Sequence, residues 1–221
     1  MRSRPERARF CLWHEMPRPD YPVLLLSVAI IALDPPLVTA AIISAGGEHT
    51  CGLGDDARVV CWGSDAAAIT APRNSRFFQL NAGLAHSCGV RSDGGASCWG
   101  DDSRGQAQPP AEKLTEVSTG DFHSCGLRTD GRAQCWGDNR YGQAAPPTGA
   151  FVHLTAGSLH SCGLRPEGTV TCWGSDLWLF RQSTAPPGRF IQISAGQLHS
   201  CALRPDGSAL CWGSDFYGQS L

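Results

Sequence analysis

Lysine is nearly absent from this chain: Lys113 is the only one among 18 Lys+Arg. Beyond residue 40 there are 13 basic and 16 acidic side chains, and the arginines nowhere gather into a stripe or cluster. Electrostatic binding to nucleic acid needs such a footprint, so no nucleic-acid partner is expected. After residue 40 no apolar run is long enough to cross a bilayer, so no membrane span is expected there. Catalytic signatures are missing too. There is no Gly-x-Ser-x-Gly elbow, no His-Glu-x-x-His, no dinucleotide Gly-x-Gly-x-x-Gly, and no kinase His-Arg-Asp or Asp-Phe-Gly. The sequence therefore predicts no enzyme and no cofactor. Methionine (two) and tyrosine (three) are scarce, while 26 glycines and 15 prolines suit an all-β fold with many tight turns.

What is present is a repeat. Five times a His, one residue and a Cys are followed ten residues on by a second Cys and then Trp-Gly. The histidines are His49, His86, His123, His160 and His199, spaced 37, 37, 37 and 39 residues apart. A fixed period of this length is one supersecondary unit copied along the chain.

The cysteines pair as Cys51 with Cys61, Cys88 with Cys98, Cys125 with Cys135, Cys162 with Cys172 and Cys201 with Cys211. Midway between Cys88 and Cys98 lies Ser92-Asp93-Gly94. A three-residue hairpin loop takes a type I turn and then a glycine in the left-handed region. With Arg91 and Gly95 closing the loop, the alternation outward makes Cys88 and Cys98 a non-hydrogen-bonded pair, about 4.5 Å apart at Cα. A disulfide spans that distance. Five cross-strand disulfides are predicted, each inside its own hairpin and each contributing roughly 2–3 kcal/mol by chain entropy. Copy one reads Asp55-Asp56-Ala57 without the glycine, so its turn is expected to be strained or looser.

Metal is the rival reading of a repeated His-x-Cys. Zinc sites usually bring cysteines two to four residues apart, and each copy offers only three N/S ligands, so no metal site is predicted. Asp55-Asp56 and Asp101-Asp102 sit in turn-rich segments and read as loop aspartates.

Residues 1–40 read as a signal peptide or leader. Five arginines precede an apolar stretch over 23–33, followed by the small-residue site Val38-Thr39-Ala40. Cys11 falls in this leader, outside the paired set. Leader and disulfides together predict a secreted, extracellular protein.

Within copy three, 114–120, 122–128 and 132–137 read as strands, followed by an irregular fourth segment around Tyr141-Gly142-Gln143. Alternation puts His123, Cys125 and Leu127 on one face and Ser124 and Gly126 on the other, with Trp136 joining the second face. Trp beside small residues suits a blade seam, and a buried indole there contributes on the order of 3 kcal/mol. The five histidines read as hydrogen-bonded packing residues. Three to four short strands per 37 residues fit a β-propeller blade. The blades are placed at 41–76, 77–113, 114–149, 150–188 and 189–221.

The recurring order of His-Ser-Cys-Gly-Leu-Arg, Asp-Gly, Cys-Trp-Gly and Gly-Gln is fullest over Gly120 to Gln143. It resembles the regulator of chromosome condensation repeat. The resemblance is strongest to the short, secreted, Cys-paired form found in β-lactamase inhibitor protein II and Crinkly-type receptor kinase ectodomains. It covers about 41–221 and implies a β-propeller, commonly of seven blades. Five copies here imply an incomplete seven-blade propeller.

A secreted, non-catalytic protein-binding scaffold is the function expected, with a protein partner. Alternatives are a fragment of a Crinkly-type receptor serine/threonine kinase ectodomain and a guanine-nucleotide exchange factor for a small GTPase. A carbohydrate-binding propeller is a further reading, disfavoured because the tryptophans should lie between blades. Copy four carries the most suggestive segment. There Leu177, Trp178, Leu179, Phe180 and Arg181 replace the usual pattern and lengthen the unit. They form a predicted contact patch, since aromatics and Arg are enriched in binding hot spots. Self-packing on the blade is the competing account. Arg104, Arg140, Tyr141, Phe216 and Tyr217 are further rim candidates.

Overall fold

The computed structural model describes residues 42–64, 70–176 and 180–220. The predicted leader lies outside them, as do Leu177, Trp178 and Leu179 of the copy-four patch.

Among the described residues fifteen strands form five three-stranded antiparallel sheets, each in simple chain order. Blade one holds β1 (Ile42–Ala45), β2 (His49–Leu53) and β3 (Val59–Gly63). Blade two holds β4 (Phe77–Ala82), β5 (His86–Arg91) and β6 (Ala96–Gly100). Blade three holds β7 (Leu114–Thr119), β8 (His123–Arg128) and β9 (Ala133–Gly137). Blade four holds β10 (His153–Ala156), β11 (His160–Leu164) and β12 (Val170–Gly174). Blade five holds β13 (Gln192–Ala195), β14 (His199–Leu203) and β15 (Ala209–Gly213). In blades two, three and five the segment after the third strand, predicted as an irregular fourth piece, is a turn and not a strand.

The hairpins have the predicted geometry. Arg91 N–H donates to Gly95 O, Gly94 N–H donates to Arg91 O, and Gly94 sits at φ 84°. Each second-strand cysteine is directly opposed to a third-strand one in the ladder. Disulfides join Cys51 to Cys61, Cys88 to Cys98, Cys125 to Cys135, Cys162 to Cys172 and Cys201 to Cys211. Their Cα atoms are 4.0–4.1 Å apart, closer than the separation expected of such a pair. The two ends of each bridge differ in burial. Cys162 is fully buried in the seam between blades four and five, and Cys172 is partly buried beside it. In blade five Cys201 and Cys211 are both partly exposed. Every described cysteine that a metal would need is thus already bonded to sulfur.

Copy one closes the same turn without glycine: Gly54 N–H donates to Arg58 O and Ala57 N–H to Gly54 O. Ala57 is forced to φ 62°, so the turn is strained and not looser. The reason lies in the next blade. The carbonyl of the left-handed residue accepts the first N–H of the following blade, in Phe77→Ala57, Leu114→Gly94, Phe151→Gly131 and Phe190→Gly168, all at 2.7–2.8 Å. Any other backbone conformation at position 57 would aim that carbonyl elsewhere.

The core is a series of seams. Cys125 and Leu127 of blade three pack against Phe151, Leu154 and Trp173 of blade four. Cys51 and Leu53 meet Phe77, Leu80 and Trp99 in the same way. The mid-strand glycines, expected to admit the neighbouring blade, instead make room for a side chain of their own blade. A Cβ on Gly126 would lie 2.4 Å from Leu114, and one on Gly163 would lie 2.4 Å from Phe151. Those large residues wedge into each seam and are almost fully buried.

The first strands come next to each other in succession, β1 to β4 to β7 to β10 to β13. Their ends and the turns that follow line a recess of about 230 Å³, with residues from all five blades. Glycine is required there: a Cβ on Gly120 would lie 2.2 Å from the Gly157 carbonyl oxygen of the next blade. Overpacking of this kind costs typically 1–3 kcal/mol.

Candidate functional site

Two sets of groups recur from blade to blade, and they separate scaffold from site. The first set holds the seams. His49, His86, His123 and His160 each place Nε2 against a serine hydroxyl of the next blade, Ser87, Ser124, Ser161 and Ser200, at 2.7–2.9 Å. Ser124 and Ser161 donate onward to the Gln106 and Gln143 carbonyls, so the imidazole Nε2 carries the hydrogen and donates to the serine. Those carbonyls also accept the indole N–H of Trp136 and Trp173, and the Gln182 carbonyl accepts that of Trp212. Nδ1 of His86, His123 and His160 is buried and, among the described residues, accepts no hydrogen bond. Burial pushes His86 and His160 down to about 4 and His123 to about 3, so all three are neutral at physiological pH. Their part is structural, as the repeat pattern indicated.

Inner-strand side chains add a second clasp, again from one blade to the next. The Gln79 amide brackets the Val117 peptide, donating to its carbonyl at 2.8 Å and accepting its N–H at 3.0 Å. Ser44, Ser118 and Thr155 hydroxyls accept the N–H of Ala82, Ala156 and Ala195. In blade three a carboxylate makes the clasp. Glu116 accepts from Leu154 N–H and lies 2.7 Å from His153 Nδ1. The Glu116 carboxylate raises His153 above the ordinary imidazole range.

The second set builds the rim turn after the third strand. In blade two Gln106 is fully buried; its Oε1 accepts Arg104 N–H and its Nε2 donates to Asp101. Asp102 accepts Ala107 N–H, and Gly105 takes φ 80°. Blade three repeats the frame with Gln143, Asp138, Asn139 and Gly142, and blade five with Gln219, Ser214, Asp215 and Gly218. The acidic pair Asp101-Asp102 is thus occupied in shaping a turn. Sequence reading marks Gly-Gln as a recurring dipeptide but misses this staple; the constant five-residue step from Asp or Ser to Gln was the available signal.

Within that constant frame two residues vary and face outward: Ser103-Arg104, Arg140-Tyr141 and Phe216-Tyr217. Tyr217 is 95% exposed, Phe216 74% and Tyr141 51%. Arg140 forks onto the buried Asp138 carboxylate at 2.9–3.1 Å, which holds that carboxyl below its usual range. Arg104 lies 4.0 Å from the same carboxylate, and its guanidinium sits 5.8 Å over the Phe122 ring. The rim candidates read from sequence therefore share one structural address.

Copy four breaks the frame. Arg181 occupies the glycine position at φ 54° and is exposed. Gln182 is fully buried, and among the described residues neither of its amide atoms has a partner, unlike its three counterparts. Phe180 is half-buried and stacks edge-on against Phe216 of blade five, with ring centres 5.5 Å apart. The copy-four segment and the blade-five rim are thereby brought together through Phe180. The remaining members of the predicted patch, Leu177, Trp178 and Leu179, fall outside the described residues.

A row of disulfide-closed, three-stranded blades, joined by a repeated side-chain clasp and displaying variable turns on one rim, is a β-propeller assembled from tandem repeats. The chain belongs to the regulator of chromosome condensation (RCC1) repeat family, whose model matches residues 41–66, 79–106, 114–143, 151–176 and 190–219. No curated protein sequence matches it. Among solved structures, it is similar to the entire ectodomain of the receptor kinase CR4 from Physcomitrella patens. Identity is 31%, coverage is 77% of this chain and 52% of that one, and the TM-score is 0.69. This chain thus spans about half the length of that ectodomain. It is also similar to the CRINKLY WD40 ectodomain of Arabidopsis thaliana ACR4, at 26% identity, 84% and 69% coverage and TM-score 0.66. Prp20p of Saccharomyces cerevisiae, studied for its binding to Gsp1p and histones, shares the fold at 18% identity, 77% and 56% coverage and TM-score 0.66. Among the described residues no helix is long and apolar enough to cross a membrane.

Proposed function

We propose that this chain is a secreted, non-catalytic scaffold that binds a protein partner through its rim turns. One observation carries the reading: in blades two, three and five a frame of Gln, Gly and Asp or Ser holds the turn, while the two residues before the glycine change from blade to blade and face solvent. A scaffold that fixes its backbone and varies its exposed tips is how rigid folds display binding residues. The copy-four segment, with Trp178, Phe180 and Arg181 close in sequence to one another and Phe180 against Phe216, supplies aromatic and guanidinium groups of the kind enriched in hot spots. Extracellular residence is supported by the five disulfides, which persist in oxidising compartments. Likeness to receptor kinase ectodomains supports it as well.

The test is a binding screen of the secreted chain against cell-surface and secreted proteins, followed by Trp178→Ala. Partner affinity should fall at least tenfold with the melting temperature unchanged. A variant that loses stability and keeps affinity would assign the segment to self-packing. The mass of intact secreted material should be lower than that of its reduced form by ten hydrogens; an unchanged mass sinks the compartment reading.

A second reading, part of a receptor kinase ectodomain, draws on the 31% identity to the CR4 ectodomain. A transcript that continues into a membrane span and a kinase would support it; one without them would remove it.

A further inference from the structure

Where the chain enters the first strands of blades two to five, three residues repeat one pattern of exposed, buried, exposed. They are Arg76-Phe77-Phe78, Lys113-Leu114-Thr115, Ala150-Phe151-Val152 and Arg189-Phe190-Ile191. The middle residue is the buried seam wedge, and its N–H is fixed by the hairpin carbonyl of the preceding blade. Alternation then turns its two neighbours to the opposite side, toward solvent. The residue after the wedge is apolar in three entries: Phe78, Val152 and Ile191 are 47%, 52% and 58% exposed. The residue before it is basic in three entries. Among the described residues the side chains of Arg76, Lys113 and Arg189 make no salt bridge and no hydrogen bond.

The four entries stand level. Their strands are neighbours in succession, and the clasps between them take the same step each time, from Asn81 to Thr119, Ser118 to Ala156 and Thr155 to Ala195. They lie at the hairpin end of the blades, whereas the rim turns follow the third strands at the other end. Acids at the hairpin end are already engaged. Asp56, Asp93 and Asp130 each bind the arginine of their own turn, and Glu167 and Asp206 bind Thr169 and Ser208. Glu112, beside Lys113, accepts from Gln134 Nε2 at 3.5 Å. The three free basic residues are scattered in sequence, and the fold gathers them at one structural address.

We propose that this end of the propeller docks on an anionic lipid bilayer. Phe78, Val152 and Ile191 enter the boundary between headgroups and acyl chains, and Arg76, Lys113 and Arg189 meet the phosphates. The basic flank sets the sign of the partner. The level arrangement sets its shape, because residues at one address on successive blades, each pinned beside its wedge, match a flat surface. Apolar side chains paired with Lys or Arg are what hold peripheral segments in the headgroup region. Hot spots of protein interfaces favour Trp, Tyr and Arg, and none of the three apolar residues here is Trp or Tyr. The surface is built from first-strand entries, so it stands apart from the rim turns of the proposed function.

The experiment sediments the full chain with vesicles of phosphatidylcholine alone and of phosphatidylcholine with about one-third phosphatidylglycerol. Binding to the anionic vesicles should be at least tenfold tighter, and raising the salt from about 0.1 M to about 0.5 M should weaken it at least fivefold. Val152→Ser with Ile191→Ser should weaken it at least tenfold. Lys113→Gln with Arg189→Gln should weaken it roughly 25-fold, about fivefold for each charge. These side chains are exposed, so the melting temperatures of both double variants should match that of the parent. If one does not, the comparison of anionic with neutral vesicles decides alone. Equal binding to both vesicles, binding to neither, or full affinity in the Val152→Ser, Ile191→Ser variant overturns the proposal. Retention on immobilised polyglutamate without vesicle binding also overturns it, and assigns the face to an acidic protein. None of these results touches the rim-turn reading, which is tested separately by Trp178→Ala.

Discussion

His123 Nε2 lies 2.8 Å from Ser161 Oγ across the seam between blades three and four, and both side chains are fully buried. Ser161→Ala removes the acceptor of that ring hydrogen. The Gln143 carbonyl keeps the Trp173 indole, so the loss falls on the imidazole. An unsatisfied buried donor costs about 1–3 kcal/mol. Denaturant unfolding of the variant should show a loss of about 2 kcal/mol. An unchanged midpoint would mean that the hydrogen bond does not hold the seam.

Ala57 should be improvable. An L-residue with a Cβ in the left-handed region costs roughly 1–2 kcal/mol, and glycine relieves it at some entropic expense. Ala57→Gly is expected to add about 1 kcal/mol, which raises the melting temperature of a domain this size by about 2–4 °C. A lower melting temperature would contradict the strained turn.

The two glutamines at equivalent rim positions should respond in opposite ways. Gln143→Met breaks a staple that holds Tyr141 N–H and Asp138, and should destabilise by about 1–2 kcal/mol. Gln182→Met removes a buried amide with no partner among the described residues, and should leave stability equal or higher. Matching losses in both would show that Gln182 is paired in solution.

Acid should loosen the seams before it reaches the carboxylates. His86, His123 and His160 have folded values of about 4, 3 and 4, below the unfolded value of 6.5. A depressed folded pKa means stability that is full above the unfolded value and is lost as pH falls toward the folded one. Each histidine contributes a slope of about 1.4 kcal/mol per pH unit in that window, so three give roughly 4. His153 works with the other sign: raised by Glu116, its contribution is full below the unfolded value and is lost as pH rises through its higher folded value. Melting temperatures measured from about pH 8 to about pH 4.5 should therefore peak near neutrality and fall steeply below about pH 6. A flat profile down to about pH 5 would mean that the histidines are hydrated.

The disulfides, the hairpin turns and the faces of the second strand were legible because they depend on neighbours close in sequence. Gly94 at a fixed distance from Cys88 and Cys98 sets a turn, the turn sets a register, and the register opposes the cysteines. The same chain of inference reaches Cys172 through Gly168 and Cys211 through Gly207, each glycine in the left-handed region. Phe77, Phe151 and Phe190 were not legible as the seam wedges. Each lies at or just before the start of a first strand, and only the packing of two blades shows that the side chain is swallowed. The serine after the histidine in copies two to five reads in sequence as merely small. Its partner sits about 38 residues away in the preceding blade, and alternation names a face but not what meets it. The copy-four segment was legible as an exception, through its two added residues and its missing glycine. The unpaired amide of Gln182 was not, since a local insertion gives no sign of which bonds it breaks.

The joint between blades four and five repeats the others at 2.8 Å although 40 residues separate His160 from Ser200, where the earlier pairs are 38 apart. The added length is absorbed in the linker and never reaches the seam. Such a chain can change its copy number cheaply: unequal recombination in phase with the repeat regenerates a working joint, whichever two copies it brings together. Out-of-phase events orphan a histidine and should be purged. Growth and shrinkage in whole units, with diversification confined to linkers, is the evolutionary path that this architecture leaves open.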